Sequence, residues 1–145
     1  LRLEPAYPDE QVAGSLDAAG RRAAQFLNRA IFDTDAARVV AIAAVPAQLQ
    51  AASDAYNAAR TASSAADASV RDVLLEQAER SFCEARTTAR ETLAGIVINA
   101  DIRSAVLLLL GHLYNNRAAV AEGAFVSVPM GAEYLLMPYR IGWGG

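Results

Sequence analysis

His112 is the chain's single histidine and Cys83 its single cysteine. Any hydrolytic scheme with a histidine base must therefore use His112, with a nucleophile and an orienting group close to it in space. No serine lies in a G-x-S-x-G elbow. A carboxylate-bridged di-iron bundle needs two Glu-x-x-His pairs, and the residue three before His112 is Leu109. C-x-x-C, Walker and G-x-G-x-x-G patterns are missing from the sequence. These residues predict no catalytic, cofactor-binding or metal site, and His112 reads as a structural residue near the polar end of a helix. Tyr114, Asn116 and Arg117 follow it. Asn116 and Arg117 stand where an apolar helix turns polar, and two roles remain open for them. They can hold the following loop through backbone carbonyls or pair with an acidic group of a neighbouring subunit. Glu122 and Glu133 are expected to be solvated or to partner such an arginine.

The helix that carries His112 is the element on which the chain is organised. Its start, Asn99-Ala-Asp101, can cap a first turn. Ile102, Val106, Leu109/Leu110, Leu113 and Val120 then recur at helical spacing. Leu107 and Leu108 fill the other sides, which predicts a central helix buried all round. Gly111 inside it reads equally as a point of close approach or as a tolerated small residue. Gly123 is expected to end the helix, AFVSV to run extended, and a short helix to start at Gly131 and close at Pro138.

Ahead of this element, Asp9 and Glu10 favour a helix N-terminus. Val12, Leu16, Ala19, Ala23, Phe26/Leu27 and Ala30/Ile31 give that helix an apolar stripe. Asp33-Thr34-Asp35 ends it and can cap the next. RVVAIAAV (38–45) is compatible with a strand, but its alanine-rich surroundings favour helix, with Pro46 expected to kink or restart it. From Ala47 to Leu93 two long arms surround the small-residue turn TASSAADAS, where the serines and Asp67 can bond the backbone. Leu49, Ala52, Tyr56 and Ala59 face Val70, Leu74, Ala78, Phe82, Ala85, Ala89 and Leu93 in an antiparallel helical hairpin, and Gly95 stops the second arm. The fold class expected is all-α: a small helical bundle, 1–145 as one domain, with the hairpin inserted over 33–95 and an extended C-terminal tail over 138–145.

Composition bounds the function. Hydrophobic residues make up 54% of 145 residues, but many are alanines that bury little area each, so partners are expected to complete the burial. A net charge of −3 gives no general attraction to nucleic acid. All thirteen basic residues are arginine. The lone cysteine fits a reducing compartment, and apolar runs fall short of the ~20 residues of a membrane span.

The run from Asp101-Ile102 through the leucines to GHLYNNRAAV, then a glycine-bearing loop, then VPMGAEYLLMPYR, resembles the C-terminal half of the head–tail connector (adaptor, or head-completion) proteins of long-tailed bacteriophages. The matching residues are His112, Tyr114, Asn116, Arg117, Pro129, Gly131, Leu135, Leu136, Pro138, Tyr139 and Arg140. LDAAGRRAAQFLNRAIFDT is similar, more loosely, to the first helix of that family. About half the chain is covered, and the hairpin departs from the compact members. The resemblance implies a virion protein, assembled in the host cytoplasm. It implies a homo-oligomeric ring, usually a dodecamer, bound beneath the portal protein at the neck. Such a ring extends the DNA channel without gripping DNA and receives a stopper or tail-completion protein. It also implies that the tail residues Tyr139, Arg140, Ile141 and Trp143 hold the portal, which their place after a proline and among glycines suits. The alternative from another class is a free-standing α-helical protein-binding module.

Overall fold

A computed structural model describes residues 9–115 and 129–142. Among the described residues the chain is all-α apart from two strands of two residues each, β1 (Ile31–Phe32) and β2 (Ile96–Val97), which pair with one another. Five helices are described: α1 (Asp9–Leu27), α2 (Asp35–Ser63), α3 (Ala68–Leu93), α4 (Ala100–Asn115) and α5 (Met130–Leu136). A 3₁₀ turn, Met137–Tyr139, follows α5. The chain divides into two compact units, one of Leu1–Ile31 with Ile98–Gly145 and one of Phe32–Val97.

In the first unit α1 packs on α4, and α4 on α5. Ala19, Ala23 and Leu27 recur every fourth residue and are all fully buried, which places them on one face of α1. They meet Ile102, Ala105, Val106 and Leu109 of α4, and Ala132 and Leu136 of α5 complete the core. Small residues let the helices approach closely. The large, fully enclosed side chains are Leu27, Ile102 and Leu136, each worth about 1.5–3 kcal/mol of burial. Asn99 caps α4, its Oδ1 accepting from the Ile102 amide at 2.9 Å.

The expectation that α4 is buried all round is not met. Leu107 and Leu108 remain 56% and 48% exposed while Leu109 is 3% exposed. The seven residues of α5 cover one side of α4 and α1 covers another, which leaves the arc of Leu107 and Leu108 open. Gly111 would meet nothing within 4 Å if given a Cβ, so it is a tolerated small residue. Gly123, AFVSV and the end expected for the central helix lie outside the described residues. The short helix begins one residue before Gly131, at Met130.

The second unit is the hairpin. Thr34 caps α2, its Oγ1 accepting from the Ala37 amide at 3.1 Å, and RVVAIAAV lies inside the helix. Pro46 does not restart the helix: α2 runs through it as one helix of 29 residues. The missing amide hydrogen bond is local, and the flanking turns of a long helix packed along α3 hold the conformation through it. At the tip, Ser63 is buried and its hydroxyl donates back to the Arg60 carbonyl at 2.8 Å. Ser64 does the same to Thr61 at 2.6 Å. Asp67 is the N-cap of α3 but makes no side-chain cap bond, contrary to expectation. Arg71 instead ties the other side of the turn, donating to the carbonyls of Ser63 at 3.3 Å and Ala66 at 3.0 Å. Gly95 is needed for close approach: an added Cβ would overlap the Phe32 ring and stand 2.8 Å from the Thr92 carbonyl oxygen.

Candidate functional site: the C-terminal clamp and the hairpin groove

α1 ends without glycine. Asn28 adopts φ 54°, the left-handed conformation that asparagine tolerates better than most residues. Its amide reaches the Gln25 carbonyl and the Arg29 amide reaches Ala24, both at 3.3 Å, the bond pair of a Schellman ending. That ending aims three groups at the C-terminal segment. The Leu27 carbonyl accepts from the Ile141 amide at 3.0 Å. The Asn28 side-chain amide donates to the Ile141 carbonyl at 2.9 Å. The Arg29 guanidinium donates to the Tyr139 carbonyl at 3.2 Å.

Side chains add to this clamp. The Tyr139 hydroxyl donates to the Asp101 carboxylate at 2.7 Å, and that bond, foremost, raises the Tyr139 pKa above the ordinary tyrosine value. Arg140 lies over the Phe26 ring, 5.0 Å from its centroid. Burial lowers the Arg29 pKa, and its Nε is enclosed without a hydrogen-bond partner. Among the described contacts a carbonyl oxygen faces Arg29 and a ring face meets Arg140.

Tyr139, Arg140 and Ile141 are therefore tied to their own unit by hydrogen bonds and a ring contact, although none of the three is buried in its core. The extended tail expected from 138 starts with a 3₁₀ turn and becomes extended only at Arg140. Trp143, Asn116 and Arg117 lie outside the described residues. His112 and Tyr114 are half-buried on the last turns of α4. Asn28 and Arg29 were not singled out by the sequence reading. The available signal was a polar Asn-Arg pair directly after the last apolar residue of α1.

The hairpin carries a second candidate. Between α2 and α3 lies an open groove of about 370 Å³, lined by Ala52, Ala55, Tyr56, Ala59, Leu74 and Phe82 among others, with no charged residue in its wall. Tyr56 and Phe82 stack at its centre with ring centroids 5.5 Å apart. Cys83 beside it is exposed.

Neither place assembles acid–base or nucleophilic machinery. Among the described residues no group of three or more His, Cys, Asp or Glu side chains could hold a metal ion, and no helix is long and apolar enough to cross a membrane. What the two places offer is backbone capture of a terminal segment and an uncharged surface for another helix. Compared with protein-family models, curated proteins and solved structures, the chain matches none.

Proposed function

We propose that this chain is a structural subunit of a bacteriophage head–tail connector, a ring between the portal and the tail or stopper that completes the head after DNA packaging. The subunit works by shape rather than by chemistry. Twelve copies surround a channel that DNA crosses without specific binding, in the neck of the virion, and the ring receives a stopper or tail-completion protein below.

One observation carries this proposal. The three segments with connector-like sequence fall mainly in α1, in α4, and in α5 with its 3₁₀ turn, and, apart from Phe32 to Thr34 at the end of the first and the stretch outside the described residues, they belong to the same compact unit. The hairpin, which has no counterpart in compact connectors, forms the other unit. Resemblance scattered by chance along a chain would not sort in this way. The clamp adds support: a segment ending in Pro-Tyr-Arg is delivered to a fixed point at the end of α1, so whatever follows it starts from a defined position. The residues implied to hold the portal then divide. Tyr139 and Ile141 position the segment, while Trp143 is left to make the contact.

The test is direct imaging of the portal vertex in DNA-filled particles carrying this chain. A ring of its density beneath the portal is the expected result, and its presence only elsewhere in the particle, or its absence from particles, overturns the proposal.

A further inference from the structure

One piece of the first unit is joined to the rest by chain with length to spare. Residues 129–142 form an arm: α5, its 3₁₀ turn and the extended segment that follows. The arm has internal bonds of its own, the amides of Ala132 and Glu133 both reaching the Pro129 carbonyl. It meets α1 and α4 through two fully buried side chains, Ala132 and Leu136. The bonds of the clamp add to that contact at Leu27, Asn28, Arg29 and Asp101. The seat is therefore made by α1, its Schellman ending and α4, and the arm is a different surface. Residues 116–128 are the covalent link between the two.

The length of that link decides whose arm can fill a seat. A Cβ on Gly131 would stand 3.6 Å from Cδ1 of Leu108. Leu108 lies two helical turns, about 10 Å, before the end of α4 at Asn115. Returning over that distance takes about four extended residues, and helix–helix connections in bundles usually use about two to eight. Here thirteen residues separate Asn115 from Pro129, and their greatest reach is ~43 Å. The 16 residues of α4 are only about 24 Å long. A second copy lying alongside thus presents its seat within reach.

We infer that the arm is exchanged between copies: in the assembled protein, residues 129–142 of one chain seat on α1 and α4 of the next. Each arm-to-seat contact described above serves unchanged in the exchanged form, so the association needs no new surface. Arm and seat are different patches, which makes the association head-to-tail and lets a closed ring fill every seat with a neighbour's arm. A chain's own arm competes at an effective concentration on the order of 1 mM, which keeps dilute chains self-contained. Copies held side by side meet a neighbour's arm at a comparable concentration, and ring closure makes the links act together. The inference rests on the arm contact and not on the connector proposal.

The experiment mixes two full-length chains in a Cys83→Ser background, one with Leu108→Cys and the other with Gly131→Cys. Both positions are exposed, and a Cβ at 131 meets Leu108 at ordinary contact distance. Oxidised at submillimolar concentration, the mixture is expected to give the mixed disulfide about tenfold over either like pair, read by mass spectrometry without reduction. A second pair of full-length variants tests exchange without a cross-link. Leu136→Asp spoils the arm and leaves the seat, whereas Ile102→Asp spoils the seat and leaves the arm, each by burying an unpaired charge. Mixed, they are expected to form a one-to-one complex in native mass spectrometry, with slowed amide exchange at Ile141 of the Ile102→Asp chain. Either result places an arm on another copy's seat. If the mixed disulfide does not exceed its random share and the second pair stays apart, each arm keeps its own seat and the exchange is wrong. The portal-vertex image judges the connector proposal separately.

Discussion

At the scale of single residues, Asn28 does two things that separate substitutions resolve. Its backbone takes a left-handed conformation and its side chain holds Ile141. Asn28→Gly keeps the conformation and loses the bond, at about 0.5–1.5 kcal/mol. Asn28→Ala loses the bond and adds about 1 kcal/mol of backbone strain. Chemical denaturation should rank the two, with the alanine variant lower, and amide exchange at Ile141 should quicken in both. Tyr139 gives a pH signature. Its pKa is raised in the folded chain, so the stability it contributes is complete below the unfolded value near 10 and is lost as pH rises through the folded one. Tyr139→Phe should lose part of the alkaline fall in stability above pH ~10, measured as melting temperature against pH. Gly95→Ala should destabilise the hairpin unit by about 1–3 kcal/mol, because the Phe32 ring must move to admit the methyl group.

At the scale of elements, α2 and α4 show how far pattern reading reaches. Periodicity predicts α4, and Asn99-Ala-Asp101 offers two candidate caps, because both are local properties; the structure uses Asn99. Periodicity could not tell Leu107 and Leu108 from Leu109, because the number of neighbours that cover a helix is a tertiary fact. Leu109→Asp should therefore abolish folding of the first unit, whereas Leu107→Asp should change its unfolding free energy by within about 0.5 kcal/mol. The same limit explains Pro46. Proline chemistry is legible, but whether packing along α3 overrides it is not. Pro46→Ala should stabilise the hairpin unit by up to the ~3 kcal/mol that separates the two residues in a helix interior, seen as a higher melting temperature. The clamp was the least legible part of the molecule. Asn28 lies 113 residues from Ile141 in the chain, and no spacing rule connects them. A left-handed helix ending without glycine leaves only a faint mark in composition.

At the scale of the whole molecule, the clamp sets where the C-terminal segment can be cut. Ending the chain after Ile141 keeps every bond of the clamp, so unfolding should be unchanged, while the proposed attachment to DNA-filled heads is lost with Trp143. Ending it after Pro138 removes the bonds to Leu27, Asn28, Arg29 and Asp101 and should lower stability as well. Truncated chains mixed with packaged heads, with attachment read by co-sedimentation and folding by thermal melts, separate the two effects. Attachment surviving the first cut would locate the portal contact elsewhere in the chain.

The pairing of β1 with β2 has a consequence for how such a chain changes over generations. The polypeptide departs into the hairpin and returns at hydrogen-bonded neighbours, a gap of about 5 Å. An insertion whose two ends already touch asks nothing of the segments on either side, whatever its length. Turns added in pairs, one to each arm, preserve the facing of Tyr56 and Phe82 and the register of the tip. The hairpin is thus a place where length is cheap to vary, and inheritance can experiment there while the first unit stays constant. Natural variants of this chain should differ most in size between Thr34 and Ala94 and least in the distance from Asn99 to Leu109.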